Sequence, residues 1–205
     1  MIQSLPLPLP LLLLLALFFL LIFLVEARVL TYAYRKIGVH PRYAFAVMLL
    51  SLIGSRYDIP LYPNALAGAA RASRQTVVML NVGGALIPIL VSLYLVARTR
   101  MYVRMLVGTV VVAAVVHSLA EIVPGAGIAV PMFAPPLVAA GVALILAFRR
   151  APPVAYVAGS MGTLIGADLL NLGQIARIGA PTVSIGGAGT FDGVFLTGIL
   201  AGLLA

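Results

Sequence analysis

Five acidic side chains, Glu26, Asp58, Glu121, Asp168 and Asp192, stand in a 205-residue chain that is 63% hydrophobic and 9% charged. A carboxylate in such surroundings costs a few kcal/mol unless it has a partner, so each is a candidate for chemistry. Asp168 and Asp192 are the strongest. If they sit close together at matched depth, they cannot both ionise easily and share a proton. One then activates water while the other polarises a carbonyl, the logic of an aspartyl hydrolase. Slightly further apart, the same pair binds a cation or carries protons across a membrane. Spacing along the chain does not separate these chemistries.

The placement of Asp192 is geometric. Only 14 residues run from Asp192 to Ala205, about 21 Å of helix against a hydrocarbon core of roughly 30 Å. A spanning helix must therefore begin near Gly186, which puts Asp192 about 9 Å inside it. In the alternative, Thr190 caps the helix and Asp192 sits in its first turn, where the helix dipole favours an anion. Small residues recur every fourth position in this segment (Gly189, Gly193, Thr197, Ala201, Ala205) and in the preceding one (Ala155, Gly159, Thr163, Ala167). Such stripes let helices approach closely in lipid, so the two segments are expected as antiparallel neighbours with Asp168 and Asp192 at similar depth. Abundant glycine and alanine in membrane helices accounts for either stripe alone.

Other groups can complete such a site. Asn171 lies three residues after Asp168, on the same helix face. Gly83 and Gly84, with Pro88, would loosen a helix and free carbonyls for a cation, with Asn81 adding a donor and an acceptor; close packing around a proline kink is the alternative. Gly187 and Gly189 precede Asp192 and join them as ion- or substrate-binding candidates. His117 and Glu121 are four apart and share a helix face. With one imidazole between them, no metal site is expected. Asp58 is a third candidate catalytic carboxylate, or an interfacial residue paired with Arg56.

These groups must be positioned by membrane helices. So little polar surface cannot cover a water-soluble globule. Apolar segments at about Leu5–Val25, Arg42–Tyr57, Thr76–Ala97, Tyr102–Val123, Gly127–Phe148, Pro152–Leu172 and Ile185–Ala205 give an all-α, polytopic transmembrane bundle of about seven spans forming one domain, 1–205. The second is short and ends before Pro60 and Pro63, so it is either a half-span or re-entrant. The first is read as a retained span: nothing basic precedes it and no cleavage site follows. Glu26, at its inner end beside Arg28, is read as interfacial.

Nine basic residues (Arg28, Arg35, Lys36, Arg42, Arg98, Arg100, Arg104, Arg149, Arg150) fall on one set of alternating loops and four (Arg56, Arg71, Arg74, Arg177) on the other. By the positive-inside rule the N-terminus is outside and the C-terminus inside. Asp58, Glu121, Asp168 and Asp192 then share the outer side. The net charge of +8 reads as topology signal and lipid-headgroup contact, and no aromatic-basic platform for nucleic acid is present. The absence of cysteine excludes disulfides and thiolate chemistry. No phosphate loop or Ser-His-Asp order is found, no cofactor is expected, and the partners expected are the lipid bilayer and a membrane-protein or peptide substrate.

Two resemblances enter on these residues. Tyr57-Asp58 resembles the YD motif of presenilin-type intramembrane aspartyl proteases. Gly166-Ala167-Asp168 resembles their GxGD motif, with Ile165 and Ala167 where that family has glycines. The likeness implies an aspartyl protease using Asp58 and Asp168. More broadly, NVGGALIP (81–88), GADLLNL (166–172) and SIGGAGTFDGVFLTG (184–198) resemble an uncharacterised prokaryotic family of polytopic membrane proteins, a domain of unknown function, which implies the seven-span architecture and no particular activity. The sequence thus leads first to an intramembrane hydrolase, then to a cation- or proton-coupled transporter, then to a non-catalytic membrane subunit or scaffold.

Overall fold

Long apolar runs bury their backbone polarity by forming helices, and helices dominate the computed structural model, which describes residues 9–61, 77–123, 127–174, 182–187 and 193–205. The first, α1 (Leu9–Ile37), is followed by α2 (Pro41–Gly54), whose N-cap His40 accepts the Arg42 N–H on its ring at 3.3 Å. Strand β1 (Asp58–Leu61) and strand β2 (Val77–Asn81) lead into a π-turn (Val82–Leu86) that continues as α3 (Ile87–Thr99). Helix α4 (Tyr102–Leu119) ends in the hairpin β3 (Glu121–Val123) and β4 (Gly127–Ala129). Helix α5 (Ala134–Ala147) and α6 (Ala151–Thr163) are joined by a 3-10 turn at Phe148–Arg150. A second π-turn (Leu164–Asp168) and a 3-10 turn (Leu169–Gln174) follow α6, then β5 (Thr182–Ile185) and α7 (Gly193–Leu204).

Four helical stretches are long and apolar enough to cross a hydrocarbon core: Leu11–Ile37, Val82–Thr99, Tyr102–Leu119 and Ala134–Gln174, the last containing both α5 and α6. The chain is a predominantly helical membrane protein. Helices α2 and α7 are apolar but short, at 14 and 12 residues, which is about 21 and 18 Å.

Several expected boundaries are corrected by strands. Within the run expected as helix from Thr76, Val77–Asn81 is strand, and at the start of the segment expected as helix from Ile185, Ile185 ends strand β5, then comes a turn at Gly186 (φ +68°), with helix described from Gly193. Gly186 and Gly187 lie outside the helix, whose described start is Gly193. Valines and threonine at 77, 78, 182 and 183 favour extended backbone, and pairing settles the choice: β2 joins β1 antiparallel (Asp58 opposite Asn81) and β5 parallel (Leu80 opposite Ile185). Helix α4 stops at Leu119, so His117 and Glu121 do not share a helix face; Glu121 opens β3, and both are exposed. Helix α1 runs on to Ile37, and the Lys36 ammonium donates to the Leu203 carbonyl at 2.7 Å. Glu26 thus lies well inside the helix and not at its end.

The core is built on α6, which packs against α3, α4, α5 and α7. Both small-residue stripes meet as expected. A Cβ on Gly159 would touch Thr197 Cγ2 at 3.2 Å and Ala201 Cβ at 3.3 Å, and Gly198 packs on Tyr156 and Ser160, so α6 and α7 run antiparallel. Gly162 and Gly166 instead admit α4 at Val112, Ala113 and Val116. By contrast, α1 contributes Ala33, Tyr34 and Ile37 to the core, while every residue from Leu11 to Val25 is exposed.

Candidate functional site

The two π-turns lie at the same end of the bundle, because α3 starts and α6 finishes at the three-stranded sheet. A π-turn closes i→i+5 bonds and so carries one residue more than an α-helical turn. At the first, Asn81 leaves β2 in extended conformation and caps the turn, its Oδ1 accepting the Gly84 N–H at 2.8 Å. Its amide donates to the Ser55 carbonyl (2.9 Å) and to Asp58 Oδ1 (3.0 Å). Ser51 Oγ donates to the Gly83 carbonyl at 2.7 Å, so a carbonyl loosened by the π-turn is taken up by α2. Gly83 is obligatory here: a Cβ would lie 2.1 Å from the Ser51 carbonyl oxygen and 2.4 Å from the Ser55 nitrogen.

At the second π-turn, Asn171 donates to the Gly166 and Ala167 carbonyls at 3.1 and 2.9 Å, and accepts from Gln174. It makes no hydrogen bond to Asp168, the residue expected to share its face; its amide donates to these carbonyls instead. Asp168 Oδ2 instead accepts the Gly186 N–H at 2.8 Å.

Gly186 joins the two turns. While its N–H meets Asp168, its Cα presses on the first π-turn, where a Cβ would fall 2.7 Å from Ala85 Cβ and 2.8 Å from Ala85 N. Its positive φ adds a second reason for glycine. Two residues earlier, Ser184 Oγ donates to Asp58 Oδ1 at 2.5 Å. Asp58 is therefore held by Asn81 and Ser184, on β2 and β5. Asp58 and Asp168 are thus tied to opposite ends of the Ser184–Gly186 tripeptide, each with its own donors.

Of the residues expected to form a site, Asp58, Asn81, Gly83, Gly84 and Asp168 are gathered here, with Gly187 against Ser184 and Asn81, and Asn171 holding the second turn. His117 and Glu121 follow another helix, at β3. Asp192 and Gly189 lie outside the described residues, as do Arg71, Arg74 and Arg177. Sequence reasoning missed Ser51, Ser184 and Gly186. Gly186 carried a usable signal, as the first glycine of a pair after a β-branched run; the two serines carried none.

Behind the first π-turn lies a cavity of about 120 Å³ between α1, α2 and α7, lined by Glu26, Ser51, Ser55, Gly83, Gly84 and Phe195 among others. Among the described residues, no three His, Asp or Glu side chains cluster as a metal site would require. The arrangement presents two carboxylates with different polar partners, two π-turns at helix ends and a small, mostly apolar cavity. Asp58 and Asp168, each held by its own donors, do not share a proton as a carboxylate dyad would.

No curated protein and no solved structure matches the chain. A family model does, that of a protein of unknown function (DUF1614), over residues 42–204, a span that begins after α1 and takes in both π-turns, the sheet and α7. The chain belongs to that family.

Proposed function

We propose that this protein is a cation- or proton-coupled membrane transporter whose coupling site is built from Asp58 and Asp168 around the two π-turns. One observation carries the reading: two π-turns, one opening α3 and one closing α6 at the same end of the bundle, are bridged by Gly186 and flanked by carboxylates. Carboxylates set beside irregular helix ends within a membrane are where transporters hold ions and protons. The bundle then has about seven crossings, α2 and α7 being the short ones. Strands β1, β2 and β5 extend those short crossings at the sheet end, with β2 paired on both sides and β1 and β5 at the edges. The N-terminus faces outward and the C-terminus inward, in a prokaryotic plasma membrane. The orientation rests on the inward basic loops, on Lys36 against Leu203 at one end, and on Arg104 beside Arg149 and Arg150.

The test is flux into proteoliposomes under imposed proton, sodium and potassium gradients. Asp58→Asn and Asp168→Asn are each expected to lower coupled flux by about tenfold or more. Wild-type protein that moves nothing under any of these gradients rejects the reading. Orientation is checked separately in the cysteine-free chain by single cysteines at Ile59 and at Ala205, which should label from opposite faces.

The hydrolase reading draws on one specific observation, that Asp168 borders an open strand, β5, which pairs only with β2 among the described residues. It needs a second carboxylate sharing a proton with Asp168, and Asp192 is the candidate. Cleavage of a membrane peptide that is lost in both Asp168→Asn and Asp192→Asn would favour it over transport.

A further inference from the structure

Among the described residues, the buried side-chain oxygens of Tyr34, Ser92 and Thr163 have no hydrogen-bond partner, and those of Tyr156 and Ser160 have none beyond each other. All are nine-tenths buried or more, and Tyr34, Tyr156 and Ser160 are fully so. A buried hydroxyl left unpaired costs about 1–3 kcal/mol, and in a bundle made of apolar side chains each could have been a phenylalanine, alanine or valine without that cost.

Four of the five, leaving aside Ser92 of α3, follow one another along α6 and the facing end of α1. Tyr156, Ser160 and Thr163 are spaced four and three apart on one face of α6, the face on which Gly198 of α7 packs. Tyr34 of α1 neighbours Tyr156, two residues from Lys36, which marks the opposite end of the bundle from the sheet. The π-turn then sets where the line goes. At roughly 100° per residue, a continuous α-helix would put Asp168 roughly 120° round from Tyr156; the extra residue of the π-turn brings it back to roughly 20°, between Ser160 and Thr163. Asp168 meets Gly186, on the stretch that leads into α7, which agrees with that facing. From Tyr156 to Asp168 the line climbs about 18 Å.

We infer that the hydroxyls of Tyr34, Tyr156, Ser160 and Thr163 line a hydrated proton path through the bundle, ending on Asp168. The inference rests on the transport reading above and names its ion. Each hydroxyl donates and accepts, so a proton passes forward from each as another arrives from behind, with water bridging the gaps. No bond other than O–H is made or broken. Asp168 receives the proton on the carboxylate oxygen that does not hold the Gly186 N–H, and one proton leaves at the sheet end for each that enters near Tyr34.

Full-length protein in vesicles carrying an interior pH dye, under a potassium diffusion potential, tests this. Wild-type vesicles should acidify or alkalinise faster than protein-free ones, and Ser160→Ala and Thr163→Val should each slow this by about tenfold. Ser118→Ala, an exposed hydroxyl bonded to the Val115 carbonyl, should change nothing. Proton flux equal to wild type in both variants overturns the path and leaves the coupled-cation reading standing, as does flux of sodium or potassium without protons. Absence of any cation flux overturns both. Hydroxyl-radical footprinting of the wild-type protein gives a readout independent of transport and of variant folding. Labelling of Tyr156, which is fully buried, is expected from internal water, and an unlabelled Tyr156 overturns the path.

Discussion

The two π-turns solve the same problem with different residues. At the entry to α3, the groups loosened by the break are consumed within the chain: Asn81 uses both amide functions, Ser51 takes the Gly83 carbonyl, and no room remains for a side chain at 83. At the exit of α6, Asn171 takes the loosened carbonyls, and Asp168 commits one oxygen to the Gly186 N–H among the described residues. The first turn is a structural joint. The second holds its backbone with an amide and leaves a carboxylate with capacity for a proton or a cation. The two turns thus differ in kind: one is anchored by an amide and a serine, the other by an amide with a carboxylate beside it.

If this contrast is right, the largest stability effects belong to the first turn. Gly83→Ala drives a Cβ into the α2 backbone, which has no flexible tip to yield, and should cost about 3 kcal/mol or more. Gly173→Ala, with open space around it, should stay within about 0.5 kcal/mol. Thermal unfolding in detergent compares them, and equal midpoints would refute the tight joint. Next comes Asn81→Ala, which strands the Ser55 carbonyl and the Gly84 N–H and should cost about 2–4 kcal/mol, read the same way. Asn171→Ala orphans two carbonyls at the second turn, for about 1–3 kcal/mol. Should it exceed Asn81→Ala, the assignment of structural weight to the first turn is reversed.

How much of this could be read from the sequence depends on what kind of signal each feature leaves. The α6–α7 contact was legible because spacing by four survives as a face whatever the depth, and Gly159 does meet Thr197 and Ala201. The break at Gly83-Gly84 was legible because two glycines and a proline weaken any helix. The strands were not. In a membrane protein both faces of a strand are apolar, so Val77–Leu80 lacks the alternation that marks a strand elsewhere and reads as the start of the next helix. Asp168 was found by its charge, yet its partner, a backbone N–H, has no sequence signature. The extra residue of a π-turn is equally silent, so the meeting of Asp168 with Gly186 emerges only from the fold.

The smallest expected effect on stability is also the sharpest test of the contrast. Asp168→Asn keeps an oxygen for the Gly186 N–H, so the turn should hold and the unfolding midpoint should move by less than about 1 kcal/mol in equivalent stability. The amide can neither take up a proton nor carry charge, so flux should fall by about tenfold or more. Fold and activity then separate at this residue, as they cannot at Asn81, where losing the side chain removes both. If Asp168→Asn instead unfolds the protein as readily as Asn171→Ala while surviving molecules transport normally, the carboxylate is one more anchor, and the second turn is a joint like the first.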